Sequence, residues 1–317
     1  SVQAGRLGAN PFVSLGYLDG ALGQARLGRH HHLGGLAGAA AEIDDLGFES
    51  EGTKYGAFYR FDTAGAPGTA VADLTVAAIT EEADSEVSRD YVSLETRVRG
   101  GGGRWHLFQR AEVDLNRDWR QEVTGRSSQL TNLSLSTSYQ ISPGVRWVAS
   151  YDQFRPYRDA DTRHTPEEVF QDFLRQGFRT GVYLNGRRLA GSLLVGVRDR
   201  EGDLDPTTSF SGTLRYSFAQ RLYVLARAST FDGDATDGFY GSIDLRRAFR
   251  GGHDVGLTYG YTGSTVKRTS EDRSHDWVRL SGRVELPARL FASAEIETLS
   301  GDDQEGTYLY LDLGYRF

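Results

Sequence analysis

The chain has 317 residues, a formal net charge of −7 and a hydrophobic content of 38%. No stretch reaches the roughly 18 consecutive apolar residues of a membrane-spanning helix, and the acidic balance argues against nucleic acid as a partner. Because the sequence contains no cysteine, disulfides and cysteine–metal centres are excluded.

The start of the chain suggests export. It begins at Ser1 and contains no methionine. We interpret it as a processed export product, so secretion is inferred. We also expect a further domain upstream of residue 1.

Apolar and polar residues alternate from one end of the chain to the other. Because successive side chains of a strand point to opposite faces, each such segment predicts a strand with one apolar and one polar face. There are eighteen candidates: 2–9, 19–29, 32–43, 52–63, 69–80, 89–100, 104–117, 130–141, 144–155, 178–187, 190–199, 207–218, 221–231, 237–248, 253–264, 275–286, 289–299 and 305–317. The first is the weakest and the third is ambiguous in phase, so sixteen strands is the alternative count.

The connections between these segments alternate between short turns and longer polar loops. Short turns at one rim and longer loops at the other are typical of outer-membrane barrels, whose turns are periplasmic and whose loops are extracellular. The longest connection, 155–177, contains the one segment that looks helical. Thr165 is a suitable cap, Pro166 suits the first helical position and Gly177 can end the helix. A packing role for this loop is favoured over a gate.

The two predicted faces differ in chemistry. The apolar face carries aromatic residues near strand ends and Leu, Val, Ala, Gly and Thr between them, which favours lipid contact over the packed interior of a β-sandwich. The polar face carries charges of both signs, which are costly against lipid but compatible with a water-filled lumen. We therefore predict that the lumen is lined by Arg60, Glu95, Arg97, Arg110, Glu112, Asp114, Arg146, Arg179, Arg215, Arg227, Asp244, Arg246, Arg279, Arg283, Glu285, Glu295, Glu297 and Asp312.

The last eleven residues carry a recognisable motif, with apolar residues at alternate positions and a terminal aromatic. These positions are Leu309, Leu311, Leu313, Tyr315 and Phe317. The motif resembles the C-terminal assembly signal of bacterial outer-membrane β-barrel proteins. The resemblance implies recognition by the barrel-assembly machinery and surrounding outer-membrane lipid. No porin subfamily is matched, and the connections are shorter than those of the trimeric general porins.

Seven of the predicted lumen residues are arginines from strands that are consecutive or nearly so: Arg146, Arg179, Arg215, Arg227, Arg246, Arg279 and Arg283. They predict either a basic wall that orients and filters solutes or a set of salt bridges that stiffens the barrel. We predict no metal site and no cofactor. The run His30–His32 is interpreted as a solvated rim, and no serine is tied to a histidine by a spacing that supports a nucleophile.

Together these features predict an all-β fold, an antiparallel up-and-down transmembrane β-barrel in which residues 1–317 form a single domain. The predicted function is a porin-like channel for passive diffusion of small polar solutes, and not an enzyme. One alternative is a scaffold barrel that holds a periplasmic, surface or electron-carrier protein. An outer-membrane enzyme and a soluble β-sheet protein are the others.

Overall fold

A computed structural model describes residues 1–8, 12–40, 52–63, 70–83, 85–166, 170, 173–219, 221–302 and 305–315. The strands within these ranges are β1 (Val2–Gly8), β2 (Tyr17–Arg26), β3 (His31–Ala40), β4 (Gly52–Asp62), β5 (Val71–Ala83), β6 (Glu86–Gly100), β7 (Trp105–Leu115), β8 (Ser128–Ser142), β9 (Val145–Phe154), β10 (Arg175–Asn185), β11 (Leu189–Arg200), β12 (Thr207–Ala219), β13 (Leu222–Asp232), β14 (Thr236–Ala248), β15 (Asp254–Val266), β16 (Glu271–Glu285), β17 (Leu290–Gly301) and β18 (Gly306–Tyr315). Among the described elements, helix α1 spans Asp118–Thr124, and 3-10 turns occur at Val13–Leu15, Gly101–Gly103 and Pro287–Arg289. None of the helices in these ranges has the length and apolar character needed to cross a membrane.

All eighteen strands belong to one sheet, in which strands that follow one another in the chain are paired. The pairs β5–β6 and β14–β15, for example, are antiparallel along their whole length. The predicted all-β, up-and-down fold class is confirmed, with eighteen strands rather than sixteen.

The register carries each face from strand to strand. Leu280 on β16 lies opposite Leu257 on β15 and Ile296 on β17, whereas the adjacent Arg279 lies opposite Thr258 and Glu297. Because a slip of one residue moves every side chain of a strand to the other face, this register fixes an apolar face and a polar face. These two names are used below in that sense.

The chain divides into two compact units. Unit 1 comprises Ser1–Tyr139, Ala149–Phe178 and Arg200–Gly202, and unit 2 comprises Gln140–Val148, Arg179–Asp199 and Asp203–Phe317. We describe each unit by itself, and the single domain over 1–317 stays a prediction.

Some predicted loops are shorter than expected because the strands run further. Both neighbouring strands extend into the predicted connection 81–89, since β5 continues to Ala83 and β6 begins at Glu86. Thr80 donates a hydrogen bond to Asp90 across the extended pair at 2.6 Å, and Ser85 takes a positive φ of 66°, as tight hairpins require. The alternation was not recognised there because both faces are polar.

The helix prediction was incomplete. The structure places α1 in the connection between β7 and β8, where we expected a loop without a helix. Seven residues are too few for an apolar period, but Asp118 in the first turn and Gly125 in the left-handed conformation at the end are ordinary helix signals. The helix predicted in the 155–177 loop lies largely on residues 167–169 and 171–172, outside the described residues.

Candidate functional site: the two faces of the sheet

The apolar face of unit 2 is exposed. Ile243, Tyr259 and Val278 lie opposite one another on three neighbouring strands, with exposed fractions of 56%, 51% and 47%. Large apolar side chains are exposed in the same way on β11, β12 and β18. A soluble protein does not leave so broad an apolar surface in water. It is the surface by which strands of an outer-membrane protein meet lipid.

The predicted assembly signal lies partly in the described chain. Leu309, Leu311, Leu313 and Tyr315 are all exposed on one face of β18. Phe317 lies outside the described residues. The role of these five residues in assembly stays a prediction.

The polar face of unit 1 carries six of the predicted lumen residues, and all of them except Arg60 lie on neighbouring strands β6 and β7. Glu95 lies directly opposite Arg110, and the Arg97 guanidinium contacts Glu95 at 2.6 Å. Arg60 pairs with Asp73 on the neighbouring strand at 2.5 Å. These charges are largely compensated by their neighbours, which is what the salt-bridge interpretation predicts.

A segment between β1 and β2 covers part of this face. The seated segment, Phe12–Gly16, buries Phe12 and Leu15 to 1% and 0% exposure. They form a hydrophobic cluster with side chains from β2 to β6: Leu18, Leu22, Leu36, Phe58, Ala77, Ile79 and Tyr91. The expectation of a charged, water-lined face is wrong for this part of unit 1, where the polar face includes a buried apolar cluster.

Hydrogen bonds from three strands hold the seated segment. Lys54 donates to the Leu15 carbonyl at 3.0 Å, and the Tyr91 hydroxyl donates to the Ser14 carbonyl at 2.9 Å. The backbone N–H of Val13 donates to Glu95 at 2.8 Å. In all three bonds the seated segment contributes a backbone group. In addition, Arg110 donates to the Ser14 hydroxyl at 3.1 Å. The segment is therefore specified by polar contacts as well as by its apolar side chains.

Sequence reasoning missed the seated segment, although a signal was present. Phe12, Val13 and Leu15 are apolar residues in a connection, where polar residues are usual. Phe58 is also apolar in the same alternating phase as Arg60. An apolar loop together with apolar residues on an otherwise polar face predicts that one covers the other.

Beside the seated segment lies a buried charge cluster, which comprises Arg89, Glu112, Asp114 and Arg120. Asp114 is 0% exposed and accepts hydrogen bonds from Arg89 and Arg120, each at 2.8 Å, and from Thr131 at 2.8 Å. Paired in this way, the buried charges compensate one another. Helix α1 contributes Arg120, which explains why this short helix matters for the site.

The cluster also fixes the connection between β9 and β10. The Arg89 guanidinium lies between two rings, 4.1 Å from the centroid of Tyr91 and 3.7 Å from that of Tyr157. Tyr157 belongs to the connection, and burial raises the pKa of its hydroxyl. The backbone N–H of Ala160 donates to Ser88 at 3.0 Å. The first part of the connection is thus docked on β6.

Glu201 fixes the end of the same connection. Its carboxylate accepts a hydrogen bond from the Leu174 backbone N–H at 3.1 Å and one from Arg155 at 2.6 Å. The hydrogen bond from Leu174, together with the positive charge of Arg155, lowers the pKa of the Glu201 carboxyl.

The polar face of unit 2 carries the other predicted lumen residues. Arg279 pairs with Glu297 at 2.6 Å and with Glu295 at 3.3 Å, and Arg283 pairs with Glu285 at 3.0 Å. Asp312 is exposed on β18, opposite Ser293. Among the described residues, no carboxylate forms an ion pair with Arg146, Arg179, Arg215, Arg227 or Arg246. Arg279 and Arg283 are therefore paired as the salt-bridge interpretation predicts, and the solute-filtering role of the other arginines stays a prediction.

Among known proteins, the chain is similar to solved structures only. No protein-family model matches the chain, and no curated protein matches it. The chain is similar to a loop L8 deletion mutant of OmpT, an outer membrane protein of Vibrio cholerae, with 12% identity over 90% of this chain and 97% of that one and a TM-score of 0.43. It is similar to an anion-selective porin from Comamonas acidovorans, with 14% identity, coverages of 87% and 86% and a TM-score of 0.41. A bacterial polysaccharide outer membrane secretin has 11% identity, coverages of 91% and 98% and a TM-score of 0.39.

The location follows from the sheet itself. Antiparallel strands with an exposed apolar face and a charged opposite face are the means by which bacterial outer-membrane proteins cross the bilayer. The predicted location in the bacterial outer membrane is confirmed by this architecture.

Proposed function

We propose that the chain is a porin-like channel through which small polar solutes diffuse passively across the outer membrane, without a catalytic step. The proposal is supported chiefly by one observation. The polar face of unit 2 keeps arginines without carboxylate partners among the described residues, on the reverse side of a face suited to lipid. Charged groups placed so close to lipid need water around them.

The predicted lumen residues would set the selectivity of this channel. Arg215, Arg227 and Arg246 lie on three successive strands of unit 2. Because their charges are not cancelled by ion pairs within the described chain, they attract anions and repel cations. We propose that the channel favours anionic solutes.

Conductance measures this proposal directly. We expect the purified chain to form discrete channels in planar lipid bilayers, with a reversal potential that shows anion preference under a KCl gradient. Arg227→Glu should shift that reversal potential toward cations, since it reverses one uncompensated charge. Arg29→Glu, in the turn between β2 and β3, is the matched control and should leave it unchanged. Folded protein that never conducts would contradict the proposal.

A second candidate function is a scaffold barrel that holds a periplasmic, surface or electron-carrier protein. It is favoured by the seated segment and the buried charge cluster, which occupy polar-face surface that a wide channel leaves to water. A scaffold is expected to co-purify with its partner in stoichiometric amounts and to be silent in the bilayer assay.

We also propose that β18 is recognised by the barrel-assembly machinery. Phe317→Ser should then lower the fraction of chain that reaches the heat-modifiable, folded form in cells. Leu27→Ser, in an exposed turn, is the control. Equal folded fractions for both variants would contradict this role.

A further inference from the structure

We infer that the polar face of unit 2 carries a binding site for acidic oligosaccharides. The inference deepens the proposed channel function, on which it rests, by naming a solute class. The site is formed by neighbouring strands β13 to β16, and its main residues are Arg227, Tyr240, Asp244, Arg246 and Trp277.

Two aromatic rings form the base of this site. The ring centroids of Tyr240 and Trp277 lie 5.5 Å apart, with an angle of 31° between the ring planes. Trp277 is directly opposite Gly260, and a Cβ atom on Gly260 would lie 2.0 Å from the Trp277 ring. Glycine is thus required for the ring to lie flat over β15. A flat aromatic surface on a polar face suits the C–H face of a pyranose, which is apolar on one side and bears hydroxyls at its rim.

Along β14 from Ser242, which is level with Trp277, two polar atoms have no hydrogen-bond partner among the described residues. Asp244 is 7% exposed, and neither its Oδ1 nor the Nε of Arg246 has a partner. A buried polar atom without a hydrogen-bond partner destabilises the folded protein, so a ligand that supplies the partner is favoured. Hydroxyls of successive sugars along β14 can serve the two atoms, since a hydroxyl donates to a carboxylate and accepts from a guanidinium.

The spacing of these groups fits a sugar ring. Gly260 lies opposite both Trp277 and Ser242, so the indole is level with Ser242. Ser242 and Asp244 are two residues apart on β14, which is about 7 Å along a strand. A pyranose stacked on Trp277 therefore presents its hydroxyls within reach of Asp244.

The charge of the site selects acidic rather than neutral sugars. Arg227 lies directly opposite Ser242 on the neighbouring strand, and neither it nor Arg246 forms an ion pair among the described residues. A guanidinium binds a carboxylate through two parallel hydrogen bonds. A uronic acid stacked on the rings offers its carboxylate to Arg227, and a further uronic acid along β14 offers its carboxylate to Arg246.

Isothermal titration calorimetry on the detergent-solubilised full chain tests the inference. We expect an oligogalacturonate to bind more tightly than a neutral malto-oligosaccharide of the same length. Trp277→Ala should weaken oligogalacturonate binding by about tenfold, the loss of one aromatic contact. Trp147→Ala, on β9 beside Arg146 and so on the opposite face, is the matched control and should have no effect. Equal affinity for the two sugars, or an unchanged affinity in Trp277→Ala, would overturn the inference.

Two further variants keep the test informative if Trp277→Ala does not fold, which heat-modifiable migration on SDS gels reports. Arg227→Gln should weaken binding of the acidic sugar and leave the neutral one unchanged, whereas Asp244→Asn should weaken both. The same result with acetate in place of oligogalacturonate would mean a simple anion site and overturn the saccharide assignment. Calorimetry needs no open pore, so sugar binding without conductance refutes the channel alone, and conductance without sugar binding refutes this inference alone.

Discussion

Replacement of Phe12 by alanine tests the seated segment. The Phe12 ring is 1% exposed, and its centroid lies 5.6 Å from that of Phe58 on β4. The substitution removes the largest apolar side chain of the segment but leaves the hydrogen bonds made by Lys54, Tyr91 and Glu95. The change therefore isolates the contribution of apolar packing.

The expected magnitude follows from burial. Truncation of a buried phenylalanine to alanine costs about 3–5 kcal/mol, and the lower end applies where the neighbours can relax. Because the segment is held on one side only, we expect the free energy of unfolding to fall by about 3 kcal/mol. About 3 kcal/mol corresponds to a change of roughly a hundredfold in the ratio of seated to released segment. The hydrogen bonds to the segment do not involve the Phe12 side chain, so they are the same in both proteins and do not change this difference.

Two measurements check the prediction. Guanidinium unfolding in lipid vesicles, followed by tryptophan fluorescence, gives the change in free energy, and hydrogen exchange of peptides that contain residues 12–24 reports release of the segment. Leu27→Ala removes an exposed leucine from a turn and is the matched control, expected to change stability by less than about 0.5 kcal/mol. If Phe12→Ala were as stable as this control and its amides stayed equally protected, the seated segment would not be held by apolar burial.

Three other predictions concern the cluster, the lipid face and pH. Asp114→Ala leaves the Arg89 guanidinium buried without its main partner and should lower the free energy of unfolding by about 3–5 kcal/mol. The double variant Arg89→Met/Asp114→Ala should recover part of this loss in urea titrations. If it recovers none, the pairing is contradicted. Leu214→Arg places a charge in the lipid-facing surface and should lower the free energy of unfolding by about 2–4 kcal/mol. Ser211→Arg, on the polar face of the same strand, should be tolerated. Equal losses of stability for the two variants in a vesicle-folding titration would refute the assignment of faces. Because the pKa of Glu201 is lowered in the folded protein, its carboxylate contributes stability at pH values above its unfolded-state pKa of about 4.3. This stability is lost as the pH falls through the folded-state pKa. Limited proteolysis of the β9–β10 connection should therefore accelerate in acid for the wild type, and Glu201→Gln should already be cut rapidly at neutral pH.

The fold was largely predictable because one period governs the whole chain. The alternation of Leu309, Leu311 and Leu313 is visible without any tertiary information, since it reflects only the geometry of a strand. Strand ends were less predictable. Where both faces are polar, as in 81–89, a strand and a loop have the same composition, and the continued pairing of β5 with β6 decides between them.

The candidate site was predictable in its residue types but not in its pairing. Alternation placed Arg227 and Arg279 on the same face, yet only the register shows that Arg279 meets Glu297. The seated segment depends on contacts between residues as far apart as Val13 and Glu95, which no local pattern encodes. Gly260 likewise has no sequence signal, because its role is to leave room for a ring on the next strand.

The seated segment also has a consequence for how the sheet assembles. It joins the first two strands, but its hydrogen-bonding partners Lys54, Tyr91 and Arg110 belong to the fourth, sixth and seventh. A hairpin misaligned by a single residue turns each of these groups to the wrong side. Docking of Phe12–Gly16 is therefore possible only after seven strands are correctly aligned. It stabilises the native strand pairing and not the shifted ones.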